Sequence, residues 1–253
     1  MTRFLHDSGL LREPALLAKA GLEDAELPKA VLQNANLAGT KLKGANLAAA
    51  VLINADFSTE KTRGEDIHGI TADLTKADLS KAALQGANLA GCQLKEATLT
   101  DATLQSADLS SASLQGADLS HAALQGADLS PATVPGFPPG VLPKIPTNLT
   151  DADLGDAALQ SANLSRADLT NADLTDANLT GADLTNAVLR DTTLSGALLS
   201  GADLRGATEL TNEELEQQAS SLKGATMPNG QKYEDWLKDK EGSREDGGER
   251  GPS

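Results

Sequence analysis

Aromatic residues are nearly missing from this chain: three Phe, one Tyr and one Trp stand among 253 residues. A conventional core of large interlocking rings is therefore excluded, and the interior must be built from something smaller. There is one cysteine, which rules out an intrachain disulfide framework and a cysteine zinc site. Positive charge is in the minority, 21 Lys and Arg against 36 Asp and Glu, for a net of −15. That balance excludes a binder of the DNA backbone and an electrostatic anchor on an anionic membrane, while leaving basic partners open. No uninterrupted apolar stretch approaches the roughly 18 residues of a membrane span. The N-terminal MTRFLHDSGLLREPALLAKAG has only Arg3 ahead of an apolar run that His6, Asp7, Ser8 and Gly9 interrupt, which is not a secretory signal pattern. The composition predicts a soluble, cytoplasmic chain with no membrane span and no direct nucleic-acid contact.

What the chain has is alanine and leucine on a strict beat. In ADLTNADLTDANLTGADLTNAVL, Ala167 to Leu189, a Leu recurs every fifth residue with an Ala two places before it. Taking that Leu as the centre, three blocks run from Leu27 to Phe57, from Leu74 to Val134 and from Leu149 to Leu204. They hold 32 pentads, 30 of them centred on Leu. Five is neither a helical nor a strand period. On an α-helix an apolar mark every five residues spirals round the cylinder, and in a flat strand it alternates between faces. A backbone that turns a corner once per pentad keeps every Leu and Ala inside, and repeated corners make a solenoid.

These units, seen as ADLSS, ADLSH, ANLTG and ADLTN, resemble the pentapeptide-repeat family, whose signature is Ala, then Asp or Asn, then Leu, then two variable residues. The resemblance spans roughly Ala20 to Arg205 and implies an all-β solenoid, a right-handed quadrilateral β-helix with four pentads to a coil and about eight coils. Leu fills the axis, and Ala is small because the wall passes close to it. Cys92, in the Ala place of GCQLK, is expected to point inward. Asp and Asn before the centre suit turn chemistry, since their side chains bond nearby backbone groups.

The pattern breaks at STEKTRGEDIHGIT, residues 58–71, and at PGFPPGVLPKIPTN, residues 135–148, both expected to leave the coil as loops. Residues 1–19 read as a lead-in covering the first coil, and 20–209 as the β-helix. Residues 210–253 read as a capping helix opened by the capping box of Thr211 and Glu214, followed by an unfolded acidic, Gly-rich tail from Lys238.

No catalytic, metal-binding or cofactor-binding residues are expected. His6, His68 and His121 lie far apart, and no phosphate loop or calcium loop is present. The function expected is a non-catalytic scaffold, a rigid acidic rod meeting an unknown protein partner; self-association would be a homodimer through an end cap. Asp153, Asp168, Asp173, Asp183 and Asp203 on the rod, Phe137, Val141 and Leu142 in the second loop, and Trp236 near the end are the candidate contacts. The alternative is mimicry of DNA, as in family members that occupy the DNA saddle of a type II topoisomerase such as gyrase. In residues 148–205 nine Asp face three Arg, a net of six negative charges. Over three coils, about 14 Å, that is about 0.4 per Å against about 0.6 for duplex DNA.

Overall fold

The structure is a computed structural model that describes residues 17–58, 71–131 and 146–246. Each pentad makes one side of a square coil. The residue before the centre forms a single parallel bridge to the coil above and another to the coil below, and two turn residues follow the centre. One bridge per side is too short for a conventional strand, so the walls are ladders of isolated parallel bridges. The turn is closed by a bond from the N–H of the next inward residue to the carbonyl of the centre, as from Ala87 to Leu84 at 3.0 Å. Its second central residue has a positive φ, the mark of a type II turn, seen at Asn54 (55°), Asp101 (58°) and Gly126 (65°).

Four such sides close a coil, giving the right-handed quadrilateral β-helix. The bridges sort the outward residues into four walls, named here A to D in chain order. Wall A begins Gly21, Lys41, Asp73; wall B begins Glu26, Asn46, Asp78; wall C begins Val31, Val51, Ala83; wall D begins Asn36, Asp56, Asn88. Along an uninterrupted coil the bridged residues are 20 apart, as Asp153 and Asp173 are. Across the first break the spacing is 32, from Val51 to Ala83, and across the second it is 35, from Ala123 to Ala158. The stack therefore accepts 12 and 15 extra residues without losing its ladder.

The interior is as the pentads require. Leu centres are buried along the whole described coil and so are their Ala companions, apart from the half-buried Ala20 and Ala30 in the first coil, with Phe57 and Cys92 fully buried among them. The Cys92 thiol points at the Phe57 carbonyl oxygen at 3.3 Å, and burial pushes its ionisation far up, so it is inert packing. Where Thr takes the Ala place its hydroxyl finds a backbone carbonyl: Thr40 donates to Leu37 at 2.7 Å and Thr192 to Leu169 at 2.8 Å. That bond removes the cost of a buried polar atom.

Both ends depart from the sequence expectation. The coil starts earlier than residue 20: Leu17 and Leu22 are buried centres, and Leu17 already closes a turn onto Ala20. The rest of the expected lead-in lies outside the described residues. At the second break Val134, taken as a centre, also lies outside them; the wall position after Leu129 is filled by Asn148 and Leu149, so residues 147 and 148 belong to the coil and not to the loop.

At the far end Glu209 falls in a centre position, and a carboxylate cannot enter the axis. It is exposed with φ of 65°, and the chain forms helix α1, Asn212–Gln218, in place of one side of wall B. The capping box forms, Glu214 N–H donating to Thr211 Oγ1 at 3.2 Å and Thr211 N–H donating back to Glu214 Oε2 at 2.8 Å. Leu215 takes the missing centre's place in the core. The coil then resumes: Ser221 bridges Leu198 and Thr226 bridges Asp203, with Leu222 and Met227 buried as centres. Helix α2, Tyr233–Asp246, covers the end. The tail expected to be unfolded from Lys238 is thus helical to Asp246, because Trp236 is drawn into the core cluster and Lys240 is tied down by an ion pair with Glu216.

Candidate interaction surfaces

A rod with a sealed interior can act only through its walls, corners, breaks and ends. The walls share one backbone, so their differences lie in the outward residues. On wall B the bridging position holds Glu26, Asp78, Asp118, Asp153 and Asp173, and on wall D it holds Asp56, Asp108, Asp128, Asp183 and Asp203. These walls stand on opposite sides of the coil. Wall A is mixed, with Lys41, Asp73 and Asp168 at the bridge. Wall C has no charge from Val31 to Gly201, at the bridge, at the residue after the centre or at the corner that follows.

The acids on the walls have a local task. Every Asp or Asn at a described bridging position accepts, through Oδ1, the backbone N–H of the residue two places on. The bond at Asp183 is 2.9 Å, to Thr185. That amide sits in the turn and has no other way to be capped at such short range. One carboxylate oxygen is thereby fixed to the backbone, which holds the other in a set direction outward.

Two of these carboxylates are shifted in their ionisation. Partial burial pushes Asp118 up, but the Ser120 hydroxyl and amide and the Thr100 hydroxyl outweigh it, so the group lies below the usual carboxylate range. At Asp203 the Arg205 guanidinium leads, with Nη2 to Oδ2 at 2.6 Å, and it too is lowered.

The predicted contacts do not converge. Asp153 and Asp173 lie on wall B, Asp183 and Asp203 on wall D, and Asp168 on wall A. Phe137, Val141 and Leu142 lie outside the described residues. Trp236 is buried (8 % exposed), stacked on Tyr233 at 6.1 Å between ring centres and covered by Lys240 Nζ at 4.7 Å, so its faces are taken up by the cap. The sequence reading missed the features that set wall C apart. Val31 (63 %) and Leu198 (37 %), the exposed large hydrophobic residues among those described, both lie there. So do Gln85, Gln105, Gln125 and Gln160, each following its centre, whose Oε1 atoms are buried without a hydrogen-bond partner. Subtracting 12 and 15 from the numbering beyond the breaks brings these residues into one column.

Among the described residues no group of three or more His, Cys, Asp or Glu is placed to hold a metal ion, and no helix is long and apolar enough to cross a membrane.

The family model described as pentapeptide repeats matches eight copies, over residues 30–58, 71–91, 92–130, 147–186 and 182–208. Among curated proteins none matches the chain. Among solved structures it is similar to HetL, a pentapeptide repeat protein involved in heterocyst differentiation regulation in the cyanobacterium Nostoc sp. strain PCC 7120. The identity is 31 % over 89 % of this chain and 98 % of that one, with a TM-score of 0.38. It is also similar to QnrB1, a plasmid-mediated fluoroquinolone resistance protein, at 19 % identity over 86 % and 95 % of the two chains, TM-score 0.38. A third likeness is to a thylakoid-lumen pentapeptide repeat protein of Arabidopsis thaliana, at 23 % identity over 74 % and 86 %, TM-score 0.23. With its repeats matched over more than half its length and laid out as four bridged walls around a Leu and Ala axis, the chain belongs to the pentapeptide-repeat family.

Proposed function

We propose that the protein is a non-catalytic scaffold for protein interaction, a rigid rod that presents ladders of carboxylates to a basic partner. The observation behind this reading is that the acids gather on walls B and D and each Asp among them is held by the backbone amide two residues on. A carboxylate fixed in this way loses little side-chain freedom when it meets a cation, and the rungs repeat at about 4.8 Å. Asn can replace Asp without losing the cap, as Asn163 and Asn178 show, so charge is separable from structure. The test is capture of partners by the intact protein, by Asp118→Asn/Asp153→Asn/Asp173→Asn for wall B and by Asp108→Asn/Asp128→Asn/Asp183→Asn for wall D. The expected result is a partner held by the native rod, released by rising salt and lost with one of the two triple variants. Partners retained by both variants would reduce the acids to turn caps and solubility. A parallel capture with residues 135–148 shortened tests the contribution of Phe137, Val141 and Leu142.

A second reading is favoured by the opposition of walls B and D: two lines of negative charge on either side of a rod have the layout of the two strands of a duplex. In this reading the chain occupies the DNA path of a type II topoisomerase. A supercoiling assay with and without a quinolone decides it; unaltered supercoiling with the protein in excess would end it.

A further inference from the structure

Wall C gives up something that walls B and D keep at most of their rungs and wall A keeps at three, Asp73, Asn148 and Asp168. Its bridging positions carry Val, Ala, Thr and Leu at most rungs, so the turn amides that follow lack the side-chain cap, although Asn178 shows that a cap fits there, accepting the Thr180 N–H at 3.1 Å. The corner leaving the wall is trimmed as well, with Gly86, Gly126, Gly181, Gly201 and Gly224 in the positive-φ position. A wall that forgoes charge over its length, and caps at every rung but Asn178, while carrying the exposed Val31 and Leu198, is shaped to be covered.

The residues on it identify what covers it. We propose that wall C is the interface of an antiparallel, side-by-side homodimer, with the two-fold axis lying in the wall between the Thr103 and Ala123 rungs. Charge makes the first argument. Two copies of a chain of net charge −15 meet like charge on walls B and D, and wall C is where identical molecules touch without it.

Register makes the second. An isologous contact requires that if one residue meets another, the reverse contact also forms. Eight rungs run from Val31 to Leu198, so this axis sets Val31 against Leu198 of the second copy and Leu198 against its Val31. The two exposed large hydrophobics are thus covered together, at both ends. Next to them Val51 faces Asn178, and at the centre small side chains oppose each other, Ala83 with Ala158 and Thr103 with Ala123. The same axis sets Gln85 against Gln160 and Gln105 against Gln125, pairing the four side chains whose carbonyl oxygens lack partners. Gln85 is already held within one copy, donating through Nε2 to Thr103 Oγ1 at 2.7 Å. A parallel pairing would instead set Val31 and Leu198 on the polar residues after the centres, Gln33 and Ser200.

The footprint is about 34 Å along the rod by about 10 Å across one three-residue side. That is below the roughly 800 Å² per partner of a standard interface, so the dimer is weak and concentration-dependent. The inference rests on the scaffold reading only in treating the walls as contact surfaces. Its test uses no other protein, so the two can fail separately.

The experiment is sedimentation together with small-angle scattering of the full chain from about 1 µM to 1 mM at about 0.15 M salt, where exposed charges are largely screened. The expected result is a monomer–dimer equilibrium whose dimer is thicker than the monomer and about as long. Ala83→Glu/Ala158→Glu should weaken it at least tenfold. Asn88→Asp/Asn163→Asp, the same added charge on wall D, should leave it unchanged, and circular dichroism confirms that both variants fold. Mixing Ala83→Glu with Ala158→Lys should restore dimer as a mixed pair, while mixing Ala83→Glu with Ala83→Lys should not. A monomer at all concentrations, a dimer of twice the length, indifference to the wall C charges, or recovery only by the Ala83 pair would each overturn the proposal.

Discussion

Walls B and C stand on one backbone and close over one interior. On wall B the bridging residue is acidic at five rungs from Glu26 to Asp173, and at the four held by Asp its side chain holds a turn amide. On wall C it is uncharged throughout and, Asn178 apart, is not one of the Asp or Asn caps. The contrast separates two kinds of information in one pentad. The centre and the residue two places before it specify the fold, and they are the same on both walls. The residue between them faces out, so it can vary from wall to wall at small cost to the coil.

The largest effect should therefore ignore the difference between the walls. Leu104→Ala, behind wall C, and Leu119→Ala, behind wall B, each open a cavity in a sealed axis, because both side chains are fully buried. Each should lose about 2–5 kcal/mol in urea denaturation, and the two losses should agree to within about 1 kcal/mol. A large gap between them would mean that the outer faces contribute to the interior.

The next effect should invert between the walls. Asp173→Ala removes the cap from the Thr175 amide and should cost about 1 kcal/mol, with Asp173→Asn close to neutral. On wall C the change runs the other way: Ala123→Asn installs a cap where none exists and should raise stability by about 0.5–1 kcal/mol. It would do so in the monomer, so it must be measured at low micromolar concentration. If Ala123→Asn gains nothing, wall C gives up no stability by lacking caps, and one support for its special role is removed.

How much of this was legible in the sequence follows from the same division. The pentad centres, the inward Cys92, the turn role of Asp and the capping box at Thr211 all depend on neighbours within a few residues, and all could be read directly. Wall membership depends on residues one coil apart, and that distance changes from 20 to 32 and to 35 across the two breaks. Val51, Ala83 and Ala158 share a wall, yet no constant period links their numbers. For that reason Asp153, Asp168, Asp173, Asp183 and Asp203 could be grouped by block and still fall on three walls. The resumed coil at Leu222 and Met227 was hidden by a different cause: α1 replaces a pentad with a helix, and Leu215 reaches the axis out of step with the beat of five. The helix over Lys238–Asp246 has the composition of a solvated tail and owes its place to Trp236 and the Lys240–Glu216 pair.

A smaller effect should appear at the corners that flank wall C. The corner entering it carries Ala49 at φ 56°, and the corner leaving it carries Gly201 at φ 70°. For a residue with a Cβ the left-handed conformation costs about 1–2 kcal/mol, of which Gly recovers part, being itself more costly to order. Ala49→Gly should stabilise by about 0.5 kcal/mol in denaturant titrations. Gly201→Ala should destabilise by a similar amount, and backbone conformation alone would be the cause, because a Cβ there meets nothing within 4 Å.

The smallest effect should be acidic in pH and shared between the charged walls and the helical end, where the Thr211 amide and the Gly224 amide also hold the Glu214 and Glu234 carboxyls below their usual range. Asp118 on wall B and Asp203 on wall D both have carboxyls held below their usual range, the first by Ser120 and Thr100 against partial burial, the second by Arg205. A group whose folded pKa is depressed adds stability that is present above its unfolded value, about 3.9 for Asp, and is lost as pH falls through the folded value. The melting temperature should thus hold steady from neutral pH down to about 4 and fall below it. Because both carboxylates remain largely in contact with solvent, screening limits each contribution, and Asp118→Asn/Asp203→Asn should remove only about 1–2 °C of that fall. Ala83→Asn/Ala123→Asn on wall C, which adds no titrating group, should leave the slope of melting temperature against pH as it is. If the wall C variant changes the slope as much as the aspartate pair does, the Asp118 and Asp203 carboxylates are not a distinct source of acid sensitivity.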